Sequence, residues 1–274
     1  MIPASFEYVR AGSADEAIAA LAEHGDEAKI LAGGMSLIPL MKLRLATPAV
    51  LVDVGRVRDL SYIRDAGDHV AIGALTRHRD LETSDLLAQQ CGVLRGVAAE
   101  VGDNQVRHRG TLGGSVSHGD PASDLPAVLL ALDATFVVHG GSGDRTVPAA
   151  EFFCGFLETA LAPDELLTEI RVPKTGSGGW NYQKFNRRAQ DWAIVGALAV
   201  GTNGDTRVSL VNMGSTPLRA SAVEQALAGG ASIGDAADHA ADGTEPPSDL
   251  NATPEYREHQ ARVLVRRALE AARA

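Results

Sequence analysis

Aromatic side chains are scarce in this 274-residue chain: Phe, Trp and Tyr together make up 4% of it. Its 45% apolar content is that of an ordinary soluble globular protein, so the core must rest on Ala, Val, Leu and Ile. Cysteine is scarcer still. Cys91 and Cys154 stand far apart and neither belongs to a CxxC pair, so no iron–sulfur or zinc framework is encoded. Two buried, reduced thiols are the expectation. No apolar run approaches the roughly 20 residues that a membrane span needs. The opening Met1-Ile2-Pro3-Ala4-Ser5 lacks the basic start and apolar segment of a secretion signal, which reads as a cytoplasmic protein. Positive charge is in deficit: 25 basic against 35 acidic residues give a net charge of −10. That disfavours nucleic acid and anionic membrane as partners, because both reward basic surfaces. Neither GxGxxG nor GxxxxGK(S/T) occurs, so a Rossmann nucleotide site or a P-loop is not supported. A GxSxG elbow is missing too, and no Ser-His-Asp or Cys-His constellation is visible, which leaves little for covalent or hydrolytic catalysis.

What is present centres on Lys29 to Leu45. A short apolar run reads as a strand over Ala28–Ala32, breaks at Gly33-Gly34, and leads to Ser36 at the N-cap of a helix through Leu45. Pro39 falls in that helix's first turn, where its missing N–H costs nothing. A strand, a glycine pair and a helix start bring free amides and the positive end of a helix dipole to one place. That is an anion cradle. Upstream, Phe6–Val9 reads as a strand, and Ser13 with Glu16 as a capping box opening a helix through Glu23. Downstream, Ala49–Val54 is a strand. The alternation predicts a small parallel α/β unit ending near Gly55.

The length suggests two domains. From Leu60 two short strands, Leu60–Asp65 and His69–Gly73, precede a helix near Thr76 and a longer helical region over Asp85–Val101. Gly102 to Pro121 is too rich in Gly and polar residues for a buried helix and reads as a long functional loop. Ser123-Asp124 caps a helix over Ala127–Leu132, and strands are expected at Ala134–His139, Arg145–Pro148 and Leu166–Val172. Gly176-Ser177-Gly178-Gly179 reads as a flexible linker. Strands at Trp180–Asn186, Ala193–Thr202 and Arg207–Met213 follow, the last two joined by a turn at Asn203-Gly204-Asp205. Helices at Ser221–Leu227 and Pro254–Ala272 flank an Ala/Asp/Gly/Pro-rich loop, which makes an antiparallel sheet with helices.

Inside the long loop, Thr111-Leu112-Gly113-Gly114-Ser115 repeats the chemistry of the first glycine pair. One such motif is an ordinary tight turn, whereas two suit a diphosphate held from both sides by backbone N–H groups and hydroxyls. His118, Asp120 and Asp124 admit a metal or acid–base site, but a turn at Asp120-Pro121 and a helix-start charge at Asp124 explain them better. An Asp here could also accept a ribose hydroxyl. Arg107-His108-Arg109 is either a solvated loop face or a basic cluster near an anionic ligand. Lys184 to Ala193 reads equally as a plain strand end with Trp192 in an interface, or as a ligand-facing segment.

Four segments come in the order and spacing of one group: Ala32–Leu37, Thr111–Ser115, Asp120–Pro126 and Lys184–Ala193. With the tail Glu255–His259 and Val263–Leu269, they make the chain resemble, over essentially its whole length, the medium, FAD-binding subunit of the molybdenum hydroxylases. Carbon monoxide dehydrogenase and xanthine dehydrogenase belong to that family. The resemblance implies an α+β protein: an FAD-binding PCMH fold of the vanillyl-alcohol-oxidase type over residues 1–176, made of two α/β subdomains at about 1–55 and 56–176. A C-terminal domain of the carbon monoxide dehydrogenase flavoprotein type would occupy residues 180–274. It implies that Leu31, Ala32, Gly33, Gly34, Met35, Ser36 and Leu37 grip the FAD pyrophosphate together with Thr111, Leu112, Gly113, Gly114 and Ser115. Asp124 would sit by the ribose, and Lys184 and the Asp191-Trp192 pair by the isoalloxazine, with Trp192 the ring contact. Met35 stands where the family commonly has Gln, His or Thr, and Ser115 where Asn is common.

The implied role is electron relay with no catalytic residue of its own. A large partner subunit would carry the molybdenum cofactor, a small one the iron–sulfur clusters, and the assembled complex would dimerise as a whole. Two rivals share the same loops: a stand-alone FAD oxidase or reductase, and a non-redox nucleotide-diphosphate-binding module. Neither the substrate nor the final electron acceptor is legible in this chain.

Overall fold

The structure is a computed structural model that describes residues 2–176, 178–202 and 204–273. The first unit comprises β1 (Glu7–Arg10), α1 (Ala14–His24), β2 (Ala28–Leu31), α2 (Leu37–Lys42) and β3 (Val50–Asp53). Its three strands are parallel in the order β1-β3-β2. Val50, Val52 and Val54 pack on Ala17, Ile18 and Leu21 of α1. Ser13 caps α1 by accepting from Glu16 N–H at 3.1 Å. The return arm lands one residue early, because Glu16 Oε2 accepts from Gly12 N–H rather than from Ser13. Helix α2 is shorter than expected. Arg44 turns left-handed at φ +59°, and Leu45 N–H closes back on the Leu40 carbonyl at 2.9 Å, which stops the helix after Lys42.

The second unit runs through β4 (Ile63–Asp65), β5 (His69–Gly73), α3 (His78–Thr83), α4 (Asp85–Gln90), α5 (Gly92–Ala99), α6 (Asn104–Arg109), α7 (Leu112–His118), α8 (Asp124–Ala131), β6 (Thr135–Gly140), β7 (Gly143–Pro148), α9 (Ala149–Phe152), β8 (Phe153–Gly155), β9 (Glu158–Thr159) and β10 (Leu166–Pro173). Its main sheet is antiparallel, β4-β5-β10-β6-β7. The expected helix over Asp85–Val101 breaks in two at Cys91, which is buried; Cys154 is exposed, against expectation. The expected loop over Gly102–Pro121 is largely helical. Asp103 caps α6 by accepting from the Gln105 and Val106 amides, and Thr111 caps α7, whose Leu112 and Val116 are wholly buried. Burial of that apolar face outweighs the poor helix propensity of Gly113 and Gly114.

The third unit has β11 (Trp180–Phe185), β12 (Val195–Thr202), β13 (Asp205–Val211), β14 (Leu218–Arg219), α10 (Ser221–Ala228), α11 (Ile233–Asp238) and α12 (Pro254–Ala272). Helix α11 lies in the stretch expected to be loop, with Ser232 as its cap. The four strands are antiparallel in sequence order. β12 is buried on both faces: Leu198 and Val200 join the core of the second unit, whereas Val195, Ala197 and Ala199 join a core with α12. Two expected turns touch undescribed positions. Ser177 in the linker and Asn203 in the hairpin lie outside the described residues. Gly178 and Gly179 are not slack spacers: a side chain there would collide with the Gly201 and Ala272 carbonyls. No helix among the described residues is long and apolar enough to cross a membrane.

The few aromatics are concentrated. Phe136, Phe152 and Phe153 meet edge to face, with centroids 4.6, 6.1 and 5.4 Å apart, in the core of the second unit. Phe136 is fully buried, so Phe136→Ala is expected to remove about 3–5 kcal/mol of stability through lost burial and a cavity. Urea unfolding of the variant beside the wild type checks this, read from the midpoint at unchanged slope.

Candidate functional site: a cavity at the seam of three units

Strand β2 ends at Leu31, and the chain then drives between the first two units. Gly33 is pressed against the turn that joins α6 to α7. A Cβ on it would collide with the Arg109 carbonyl and come within 2.9 Å of the Gly110 Cα. Arg77 donates to the same Arg109 carbonyl. Gly34 follows at φ +75°, a conformation that favours glycine. The amides of Gly33, Gly34, Met35, Ser36 and Leu37 donate to nothing among the described residues; the first helical bond runs from Ile38 N–H to the Gly34 carbonyl. Ser36 starts α2 without using its hydroxyl as a cap. Successive unused donors of this kind form a concave nest for an anion.

The second glycine pair differs. Leu112 N–H donates to the Thr76 carbonyl at 2.9 Å, Gly113 N–H to Ala74 at 2.8 Å and Ser115 N–H to Thr111 at 3.0 Å. Gly114 N–H donates to Thr111 Oγ1 at 3.1 Å. All four amides are committed. What this side offers the cavity is the hydroxyls of Thr111, Ser115 and Ser117. The two loops are therefore complementary rather than equivalent: donors of the backbone on one side, hydroxyls on the other.

Between them lies a cavity of about 800 Å³, near the upper end of the roughly 300–1,000 Å³ usual for small-molecule and cofactor sites. Ala32 to Leu37, Thr111, Gly113, Gly114, Ser115, Asp124, Lys184 and Trp192 all line it. Leu31 and Leu112 do not: Leu31 closes a strand, and Leu112 is fully buried in the core. Asp124 and Lys184 form an ion pair at 2.8 Å, with their side chains only 5% and 6% exposed. Tyr182 Oη donates to the other Asp124 oxygen at 2.6 Å, and Lys184 Nζ also donates to the Glu100 carbonyl at 2.9 Å. Burial pushes the Asp124 carboxyl above its ordinary range against the opposing pull of Lys184. Burial, then Asp124, pushes the Tyr182 phenol well up. Trp192 stands at the edge, 61% exposed.

Several expectations shift. Arg107 is turned away from the cavity onto Glu82 at 2.9 Å, and neither His108 nor Arg109 lines it, so the basic cluster is not at the ligand site. Asp120 caps its own turn by accepting from Ala122 N–H at 2.9 Å. Among the described residues no three His, Cys, Asp or Glu side chains converge as a metal site would require. Sequence reasoning missed two parts of the wall. His78 lies beneath Gly110, 4% exposed, and burial with the nearby Arg107 and Arg77 pushes its imidazole down to about 4. The segment from Leu157 to Leu167 closes another side. Neither carries a motif; only tertiary placement reveals them.

Comparisons with known proteins agree with this architecture. The family model for the FAD binding domain in molybdopterin dehydrogenase matches residues 4–175. The one for the CO dehydrogenase flavoprotein C-terminal domain matches residues 180–272. The chain is 42% identical to a carbon monoxide dehydrogenase medium chain of Hydrogenophaga pseudoflava, over 99% of this chain and 98% of that one. It is 39% identical to subunit alpha of the 6-hydroxypseudooxynicotine dehydrogenase complex of Paenarthrobacter nicotinovorans, over 98% and 95%. A solved carbon monoxide dehydrogenase from H. pseudoflava superimposes with a TM-score of 0.95 at 44% identity, over 99% and 98% of the two chains. The chain thus belongs to the FAD-binding medium subunits of the molybdenum hydroxylases, and it is an oxidoreductase component. The residues present fit FAD: a cavity of the right size, a run of unused amides for phosphate, and a glycine that only a missing side chain allows against the opposite loop.

The buried pair yields a prediction. Lys184→Met leaves the Asp124 carboxylate buried without its cation, at an expected cost of about 3–5 kcal/mol at pH 7. A carboxyl whose folded value is raised destabilises the ionised fold, so acidification should restore part of the loss as Asp124 takes up a proton. Urea midpoints of wild type and variant at pH 7 and pH 5 check this: the gap should narrow at pH 5.

Proposed function

We propose that this chain holds one FAD across the seam and serves as the electron relay of a heteromeric molybdenum hydroxylase. Electrons would enter from the iron–sulfur clusters of a small partner subunit and leave to a final acceptor. A large partner would carry the molybdenum cofactor, and the whole complex would dimerise. The observation that carries the reading is the row of five unused amides, Gly33 to Leu37, facing the hydroxyls of Thr111, Ser115 and Ser117 across the cavity. FAD supplies, when bound, the link between two-electron substrate chemistry and one-electron carriers. This chain's residues bind and orient it.

Gly33 to Leu37 hold the pyrophosphate by backbone donors, so Met35, which has no donor in its side chain, is tolerated at the centre of the nest. Thr111 and Ser115 donate from the facing side. Gly113 and Gly114 keep that wall low, and Leu31 and Leu112 support the two loops from behind. Asp124, through its remaining acceptor capacity, and Lys184 face the ribose and ring end, with Trp192 against the isoalloxazine. The domain limits are 1–176 and 180–274, a division supported by the family matches over 4–175 and 180–272. The site is cytoplasmic, a reading that the two unbridged cysteines support. The relatives' names refer to different substrates, carbon monoxide in one and 6-hydroxypseudooxynicotine in another. The large partner would therefore choose the substrate.

Visible absorption of the purified protein tests the reading. The wild type should carry FAD near one per chain. Gly33→Ala, which drives a methyl into the Arg109 carbonyl, and Gly114→Asp, which sets a charge beside the phosphates, should each lose it while keeping a cooperative unfolding transition. A colourless wild type that takes up no FAD would sink the flavin reading, and full flavin in both variants would remove the loops from the phosphate site.

A further inference from the structure

Trp192 is largely exposed, so packing of its own indole does not hold it at the cavity; the backbone on either side must. On one side, Asp191 N–H donates to the Arg188 carbonyl at 2.9 Å, and the Arg188 guanidinium donates to the Asp191 carboxylate at 3.1 Å. On the other side Ala193 is buried, packed with Ala127 of α8 and Val211 of β13. The Ala193 carbonyl accepts from the Asn212 side-chain amide at 2.8 Å. The Asn212 backbone N–H donates in turn to the Pro121 carbonyl at 2.9 Å, in the turn that runs through Ser123 into Asp124. Asn212 holds φ +61°, a left-handed conformation that non-glycine residues adopt sparingly and Asn most readily. A left-handed residue that bonds at once the residue after Trp192 and the turn leading into Ser123 and Asp124, all three of which line the cavity, is over-determined by its surroundings, as functional sites often are.

We propose that Asn212 is the positioning residue of the flavin-ring site: it ties the Trp192 loop of the C-terminal domain to the Pro121–Asp124 turn of the FAD-binding domain and so sets where the indole stands. The proposal rests on the reading of Trp192 as the ring contact. Its two bonds are separable. Any residue that accepts the left-handed backbone keeps the N–H bond to Pro121, but only a side-chain donor reaches the Ala193 carbonyl. Asn212→Asp is isosteric and turns an acceptor towards that carbonyl; Asn212→Gly accepts the backbone at no cost and has nothing to donate.

The test uses the full-length flavin-loaded protein and four variants: Asn212→Asp, Asn212→Gly, Trp192→Phe and the Asn212→Asp/Trp192→Phe double. Three quantities are read: FAD per chain, the flavin fluorescence lifetime, which an adjacent indole shortens by electron transfer, and the flavin midpoint potential. Both Asn212 variants should keep wild-type FAD content yet lengthen the lifetime to that of Trp192→Phe and shift the potential in the same direction. The double variant should match Trp192→Phe alone. Wild-type lifetimes in both Asn212 variants, alongside a lengthened one in Trp192→Phe, would overturn the positioning role and leave the Trp192 contact standing. A further change in the double variant beyond Trp192→Phe would mark Asn212 as merely structural. An unchanged lifetime in Trp192→Phe would overturn the ring contact and the proposal with it.

Discussion

Everything at the site depends on one close approach of backbone to backbone. Gly33, leaving the parallel sheet of the first unit, rests against the Arg109 carbonyl and the Gly110 Cα of the second. No other residue can stand there, and because none does, two loops about 75 positions apart face each other across a single cavity. Arg77 donates to the same carbonyl, which helps to hold it in place. Backbone amides can be left unused on the first loop only because they look into this cavity and not into protein. Buried without a ligand or water they would be costly.

The same seam explains why the C-terminal unit is needed to complete the site. β12 is buried on both faces and joins two cores, and its neighbour β11 carries Tyr182 and Lys184 onto Asp124 at the start of α8. A buried charge pair of this kind adds little net stability, because desolvation offsets the attraction. The short ion pair and the phenol bond join β11 directly to the start of α8. The cavity wall at Lys184 and the Trp192 loop follows from that arrangement.

The first two units are also joined by His139, whose two ring nitrogens meet Asp15 of α1 at 2.8 Å and Asp144 of β7 at 2.5 Å. The hydrogen bonds with Asp15 and Asp144 raise the imidazole pKa above its ordinary value. The two carboxylates are largely exposed and solvent screens them, so this contact adds little to the seam beside the glycine contact.

The amino-acid sequence alone determined the elements with strong local signals. The parallel α/β start, the cap at Ser13, the antiparallel C-terminal sheet and the two glycine pairs are all written in nearest-neighbour chemistry and in period-2 or period-3.6 apolar patterns. Helix α7 escaped because Gly113 and Gly114 argue against helix locally, whereas its stability comes from burial of Leu112 and Val116 against distant elements, and α6 is a short polar helix started by its Asp103 cap. Which amides stay free was equally hidden. The two Gly-Gly motifs look alike in sequence, yet Thr76 and Ala74 consume the amides of Leu112 and Gly113, and nothing among the described residues consumes those of Gly33 to Leu37. Hydrogen-bond partners far apart in the chain are set by packing, and so are the turn of Arg107 away from the cavity and the placing of His78 and Leu157–Leu167 in its wall. Local chemistry decided that there would be a cradle; only the tertiary contacts decided which half of it donates.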